Sequence, residues 1–190
     1  MIARLLILVV LLLTVIGCTR FVHEGPLQAY PGPKKSTSEI AIVRFEPHST
    51  EWERFVLEPK SIDGRTVEEI VGLPEGPVSY RIEDDEVHLE PGLHTIQVSF
   101  RHGPGALPFQ SKPELQRPKI RFTAEAGHQY RIHAKGQVMF AWEPSVIFWV
   151  ADETTRRQVI PDTECQVSLG HPPPCNLAEQ RDEPNAPAPQ

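Results

Sequence analysis

The sequence predicts an all-β fold, an antiparallel β-sandwich of about eight short strands. Three observations lead to this prediction. Apolar and polar residues alternate with a period of two over much of residues 39–162. Turns rich in Gly and Pro separate these runs at intervals of roughly ten residues. Only residues 66–71 have a helical pattern, with Thr66 and Glu69 spaced as a capping box, and a strand is equally compatible with so short a stretch.

Each run of alternating apolar and polar residues predicts one strand. Pro91-Gly92 favours a type II turn, because the third position of that turn needs a positive φ. The turn at Glu125-Ala126-Gly127 joins two runs and predicts a hairpin. The runs are residues 39–45, 77–83, 87–89, 94–101, 119–124 and 128–134.

The last two runs, residues 138–142 and 146–151, are apolar on both faces. Strands of this kind are covered on both sides or expose an apolar edge. One interpretation is that their aromatic rings fill the core of the sandwich. The other is that they form a binding surface, since tryptophan anchors protein partners and sugars. The candidate surface residues are Phe140, Trp142, Phe148 and Trp149.

The first eighteen residues predict export and lipid attachment. Arg4 precedes an apolar run that is too short for a bilayer-spanning helix of about twenty residues, as in a cleaved signal peptide. The run ends in Val15-Ile16-Gly17-Cys18, which resembles the lipobox of bacterial lipoproteins. The resemblance implies a lipidated Cys18, and Thr19 after it implies an outer-membrane destination facing the periplasm. The alternatives are an ordinary signal peptide with a chance cysteine, or a short buried helix.

The chain divides into five segments on these grounds. We expect a signal peptide over residues 1–17, a lipidated cysteine and tether over 18–38, and the sandwich over 39–162. A cysteine-stapled loop is expected over 163–177, and a disordered, Pro-rich tail over 178–190.

The cysteine count fits an exported protein. Of the three cysteines, lipid attachment to Cys18 leaves Cys165 and Cys175 as an even pair. An oxidising compartment favours a disulfide between them. Two free thiols are the alternative. A metal site there lacks a fourth ligand, because His171 is the one histidine between the two cysteines.

Composition and motifs argue against several functions. The net charge of −6 disfavours nucleic acid, which requires clustered Lys and Arg. We expect no enzyme and no cofactor, because the chain has no G-x-S-x-G elbow and no phosphate-binding strand–helix context. His94 and His128 lie beside turns on inward-facing positions, from which two side chains could meet in space, but a histidine beside a turn more often bonds backbone carbonyls. We therefore predict no metal site.

Three turn motifs carry a family resemblance over roughly residues 39–135. The segments Ser61-Ile62-Asp63-Gly64, 89–100 and 122–132 resemble the turns of small PEGA-like β-sandwich domains in proteobacterial lipoproteins. The resemblance implies an envelope interaction module and brings no catalytic residues. We therefore expect a lipid-anchored, non-catalytic interaction or structural module with an envelope protein partner. The alternative is a carbohydrate- or peptidoglycan-binding lipoprotein that uses an exposed tryptophan.

Overall fold

The prediction of an all-β fold is confirmed. The computed structural model describes residues 21–23, 25–49, 55–73, 80–82, 86–102, 117–137, 145–166 and 175–179. The elements within these ranges are strands β1 Phe21–His23, β2 Leu27–Gln28, β3 Ala41–His48, β4 Phe55–Ile62, β5 Arg65–Thr66, helix α1 Val67–Ile70, and strands β6 Tyr80–Ile82, β7 Glu86–Leu89, β8 Gly92–His102, β9 Lys119–Ala124, β10 Gln129–Gln137, β11 Ser145–Asp152, β12 Arg157–Gln166 and β13 Asn176–Ala178.

Most of the strands belong to two sheets that share one hydrophobic core. The strand order is β12-β11-β10-β3-β7-β2 in the six-stranded sheet and β13-β9-β8-β4-β5 in the five-stranded sheet. The remaining pair, β1 and β6, is parallel. Buried side chains from both large sheets form the core, where the rings of Phe100 and Phe148 meet edge to face at 6.0 Å. Two sheets closed over one core are the sandwich that the turn spacing predicts.

The sheets are mixed, whereas the sequence predicts antiparallel pairing. Strand β10 is antiparallel to β11 but parallel to β3, with Ile132 opposite Phe45. The pairs β9–β13 and β2–β7 are also parallel. Parallel neighbours need a long connection, and here the chain passes through the five-stranded sheet between β3 and β10. Side chains alternate in both kinds of ladder, so alternation alone could not distinguish them.

Two predicted turns connect strands of different sheets rather than neighbouring strands of one sheet. The turn at Gly127 leads from β9 in the five-stranded sheet to β10 in the six-stranded sheet, so the predicted hairpin is wrong. Gly127 has a φ of +77°, which glycine adopts at little cost. Gly92, with a φ of +145°, opens β8 where the chain leaves β7 in the other sheet. The turns lie where the sequence predicts them, but their partners differ.

Part of the predicted tether belongs to the folded domain, which corrects the segment 18–38. Leu27 lies in β2, pairs in parallel with β7 and is only 1% exposed. Tyr30 is buried, and its hydroxyl accepts a hydrogen bond from the backbone N–H of Lys35 at 3.0 Å. Two apolar residues among Gly and Pro are too few to show a periodic pattern, so the sequence did not predict this packing.

The C-terminal boundaries also differ from the prediction. Strand β12 continues the domain to Gln166, beyond the expected end at residue 162, and β13 places Ala178 in the five-stranded sheet. The predicted disulfide between Cys165 and Cys175 is present, with Cα atoms 5.7 Å apart. Because β12 and β13 are the edges of different sheets, the disulfide fastens one sheet to the other. Residues 180–190 of the expected tail lie outside the described residues.

The short segment at residues 66–71 forms helix α1. Thr66 Oγ1 accepts a hydrogen bond from the backbone N–H of Glu69 at 3.2 Å, and Glu69 Oε2 accepts one from the backbone N–H of Thr66 at 2.6 Å. This reciprocal pair is the predicted capping box. Val67 is buried in the core, so the helix is held by both its cap and its packing.

Candidate functional site

The outer face of the six-stranded sheet, which is turned away from the core, carries a row of aromatic and polar side chains. On β10, Ile132 and Ala134 are fully buried in the core. Successive side chains of a strand point to opposite faces, so Arg131 and His133 lie on the outer face. The same alternation places the odd-numbered residues of β11 and the even-numbered residues of β3 on this face.

Four of these side chains form one cluster across three neighbouring strands. His133 on β10 is the register partner of Trp149 on β11 and of Glu46 on β3. The His133 and Trp149 rings stack, with centroids 4.7 Å apart and planes inclined by 10°. The ring of His48 lies 5.3 Å from that of His133 and 5.1 Å from that of Trp149. We call Glu46, His48, His133 and Trp149 the outer-face cluster.

Polar atoms of three cluster residues converge. His48 Nε2 and His133 Nδ1 are 3.2 Å apart and share a hydrogen bond. His133 Nδ1 lies 4.0 Å from Glu46 Oε2. Each of these three residues offers one metal-ligand atom, and the three atoms lie within 4.8 Å of one another. We predicted no metal site from the sequence, whereas these three residues form a candidate for one.

Arg131 holds Glu46 in place from the same face. Its Nη1 donates a hydrogen bond to Glu46 Oε2. Its Nη2 donates to Glu153 Oε2 at 3.0 Å, and its Nε lies 2.7 Å from Glu153 Oε1. The hydrogen bond from Arg131 lowers the pKa of the Glu46 carboxyl, despite the opposing effect of burial. Glu46 is therefore an anion at neutral pH, and Arg131 is shared between two carboxylates.

Burial lowers the pKa of His133, and the neighbouring His48 and Arg131 lower it further against the opposing effect of Glu46. The His133 imidazole is therefore neutral at pH 7. A neutral imidazole carries a proton on one ring nitrogen and a lone pair on the other. In the 3.2 Å hydrogen bond between His133 and His48, the protonated nitrogen of one ring donates to the lone pair on the facing nitrogen of the other ring.

The structure separates the four predicted surface aromatics. Phe148 is fully buried in the core, so its assignment to a binding surface is wrong. Trp149, one residue later, is half-buried on the outer face and belongs to the cluster. Phe140 and Trp142 lie outside the described residues, as does Cys18. Of the four predicted surface residues, Trp149 is therefore the one that the described part of the chain places on an outer face.

The structure gives His94 and His128 separate carboxylate partners. His94 Nδ1 lies 2.7 Å from Asp63 Oδ2, and its Nε2 lies 2.7 Å from the carbonyl oxygen of Glu90. His128 Nδ1 lies 2.8 Å from Asp152 Oδ2. Each histidine fastens a turn, and the bond from His94 to Glu90 is the carbonyl contact expected of a histidine beside a turn.

Acid is expected to destabilise the fold through Asp152. Burial raises the pKa of this carboxyl, but hydrogen bonds from the Thr155 side chain, from His128 and from backbone N–H groups outweigh burial and lower it. A lowered folded pKa gives stability that is present above the unfolded value of about 3.9 and is lost as pH falls through the folded value. Urea unfolding between about pH 5 and pH 3 measures this loss.

The matched control for this pH dependence is Asp152→Asn, which cannot titrate. Its free energy of unfolding should fall less between those pH values than that of the wild type. Equal slopes for the two proteins would show that other carboxyls, such as Glu86 with its lowered pKa, carry the acid sensitivity.

The sequence pattern missed Glu46, His48 and His133 as a group. The predicted first strand ends at Phe45, whereas β3 continues to His48 and through Pro47. Had the strand been extended, Glu46 and His48 would have shared one face by their spacing of two. Their partner His133 is 85 residues from His48, and only the parallel pairing of β3 with β10 brings it near.

Comparisons of the chain with protein-family models, with curated proteins and with solved structures found no match. The chain is thus characterised by its own fold and site, an all-β sandwich with an aromatic and polar cluster on the outer face of one sheet. Among the residues that the structure describes, no helix is long and apolar enough to cross a membrane.

Proposed function

We propose that this chain is a lipid-anchored protein of the bacterial cell envelope that acts as a non-catalytic interaction module. In this proposal Cys18 carries the lipid, the outer membrane holds the protein on its periplasmic side, and a protein partner binds the outer face of the six-stranded sheet. The lipobox-like Val15-Ile16-Gly17-Cys18 supports the anchor. The Cys165–Cys175 disulfide supports an oxidising compartment.

The observation that carries the interaction surface is the stacking of Trp149 on His133 within the outer-face cluster. A half-buried tryptophan that shares a sheet face with an arginine, Arg131, has two of the residue types that are enriched at interface centres. The same stacking disfavours the carbohydrate alternative at this residue. The His133 imidazole, 4.7 Å away, covers one face of the Trp149 ring, and the His48 ring lies 5.1 Å from it, so imidazoles already occupy part of the ring surface on which a sugar would stack.

Replacing Cys18 with serine is expected to abolish membrane attachment. Serine has no thiol to carry the lipid, and acyl chains contribute about 0.8 kcal/mol for each buried CH₂ group. Mass spectrometry of the N-terminal peptide should show the acyl mass in the wild type and its loss in Cys18→Ser. Fractionation should move the variant out of the membrane pellet. A variant that stays with membranes, together with a wild type without acyl mass, contradicts the anchor.

The interaction surface is tested by photo-crosslinking in intact cells. A photoreactive residue at Ile147, which lies on the outer face beside Trp149, is expected to capture an envelope protein. The matched control is the same residue at Arg121, an exposed position in β9 of the other sheet. Equal capture from both positions, or none from either, argues against this face. Capture of peptidoglycan at Ile147 instead supports the carbohydrate-binding alternative.

A further inference from the structure

We propose that Glu46, His48 and His133 bind a divalent transition-metal ion, and that Zn²⁺ fits their donor atoms best. Two imidazoles and one carboxylate are a donor set that holds zinc while leaving one position open. The three ligand atoms lie within 4.8 Å of one another. The inference goes beyond the proposed function, because all three ligands belong to one chain and metal binding requires no partner.

The two imidazole nitrogens already have the separation of ligands to one ion. Nitrogens bound to zinc at about 2.0–2.1 Å in a tetrahedral site are about 3.3–3.4 Å apart. His48 Nε2 and His133 Nδ1 are 3.2 Å apart. In their hydrogen bond one nitrogen carries the proton. Zinc needs a lone pair on both facing nitrogens, so the ring that donates in this hydrogen bond would carry its proton on its other nitrogen when the metal is bound.

Glu46 supplies the third ligand after a small movement. Its Oε2 lies 4.0 Å from His133 Nδ1, and the three ligand atoms lie within 4.8 Å of one another, so the carboxylate must approach the two imidazole nitrogens by roughly 0.6–1.4 Å to reach the ligand separation of a tetrahedral site. Its side chain lies partly exposed on the outer face and is bonded to another surface side chain, Arg131, so the two can shift together without disturbing the core. Arg131 donates to Glu46 and is itself paired with Glu153, as metal-ligating carboxylates are commonly oriented by hydrogen-bonding neighbours.

The surroundings favour a transition metal over Ca²⁺ or Mg²⁺. Calcium takes six to eight oxygen ligands, and magnesium prefers oxygen in octahedral geometry, whereas this site has one carboxylate and two imidazoles. The positive charge of Arg131 is compensated, because Glu46 and Glu153 both pair with it. Trp149 covers one side of His133, while the exposed His48 leaves the open position towards solvent.

The test is calorimetric titration of ZnCl₂ into the full mature chain, solubilised in detergent and freed of metal by a chelator. We expect one zinc ion per chain and a higher unfolding temperature with zinc. Both effects should be lost in His48→Gln and in His133→Gln. Because His48 is exposed at the end of β3, its variant should unfold at the wild-type temperature without zinc. Arg131→Gln, which removes a positioning residue, should weaken binding by about 10- to 100-fold.

The matched control is His94→Gln, because His94 also faces a carboxylate but has no second imidazole at hydrogen-bonding distance among the described residues. This variant should bind zinc as the wild type does. The proposal is overturned if the wild type binds no zinc, if His48→Gln keeps wild-type affinity, or if MgCl₂ gives the same heat. The zinc titration uses purified protein, whereas the crosslinking of the interaction surface uses intact cells. A negative result in one experiment therefore does not decide the other proposal.

Discussion

Replacing Phe148 with alanine is expected to lower the free energy of unfolding by about 3–5 kcal/mol. The side chain is 0% exposed, and its ring meets Phe100 of the opposite sheet edge to face at 6.0 Å. Truncation removes buried apolar surface and leaves a cavity between two sheets that cannot close over it. Urea denaturation, with the slope of the transition compared between variants, measures the change.

The control for this variant is Leu93→Ala, which removes an apolar side chain that is 48% exposed. Its effect should stay within about 0.5 kcal/mol of the wild type. If Phe148→Ala is as mild as Leu93→Ala, then Phe148 lies outside the core, and its interpretation as a surface residue is restored.

The contrast between Phe148 and Trp149 shows how far alternation can be taken. The pattern of residues 146–151 establishes that neighbouring residues face opposite sides, but both sides are apolar, so it does not tell which side is the core. The structure decides this: Val146, Phe148 and Val150 are fully buried together. Trp149 then lies on the outer face, where imidazoles rather than a protein core cover its ring.

Strand positions were predictable because burial on one face leaves a period of two. Strand β9 shows this well, since Ile120, Phe122 and Ala124 are buried and the residues between them are exposed. Strand partners were not predictable by the same means. A tight turn such as that at Gly127 joins either hydrogen-bonded neighbours or strands in facing sheets, and the local sequence satisfies both.

The candidate site depends on those partners, which is why the sequence did not reveal it. Glu46 and His48 lie on one strand, and His133 lies on a strand that reaches them only through the parallel β3–β10 pairing. Each residue alone resembles an ordinary polar residue on a solvated sheet face. By contrast, the pairing of Cys165 with Cys175 followed from a count and a compartment and needed no knowledge of register.

Removal of the Cys165–Cys175 disulfide is expected to cost about 2–3 kcal/mol of stability in the chain-entropy model. The cross-link closes a short loop, with a sequence separation of 10 residues. It also holds β13, a strand of only three residues, at the edge of the five-stranded sheet. The suitable variant is Cys165→Ala with Cys175→Ala in a Cys18→Ser background, because that background leaves no other thiol in the chain.

The loss should begin at β13 before the rest of the domain unfolds. The contacts of this segment include hydrogen bonds from the Lys119 N–H to the Cys175 carbonyl and from the Glu179 N–H to the Arg121 carbonyl, each at 3.0 Å. Hydrogen exchange should therefore accelerate more at Leu177 and Glu179 than at Ile132 in the centre of the other sheet, where exchange proceeds through global unfolding and rises only in proportion to the lost global stability. Uniform acceleration would instead mean that the disulfide supports the whole sandwich. Unchanged exchange together with a cost under about 0.5 kcal/mol would mean that Leu177 packing alone holds the edge, since that side chain is buried in the shared core.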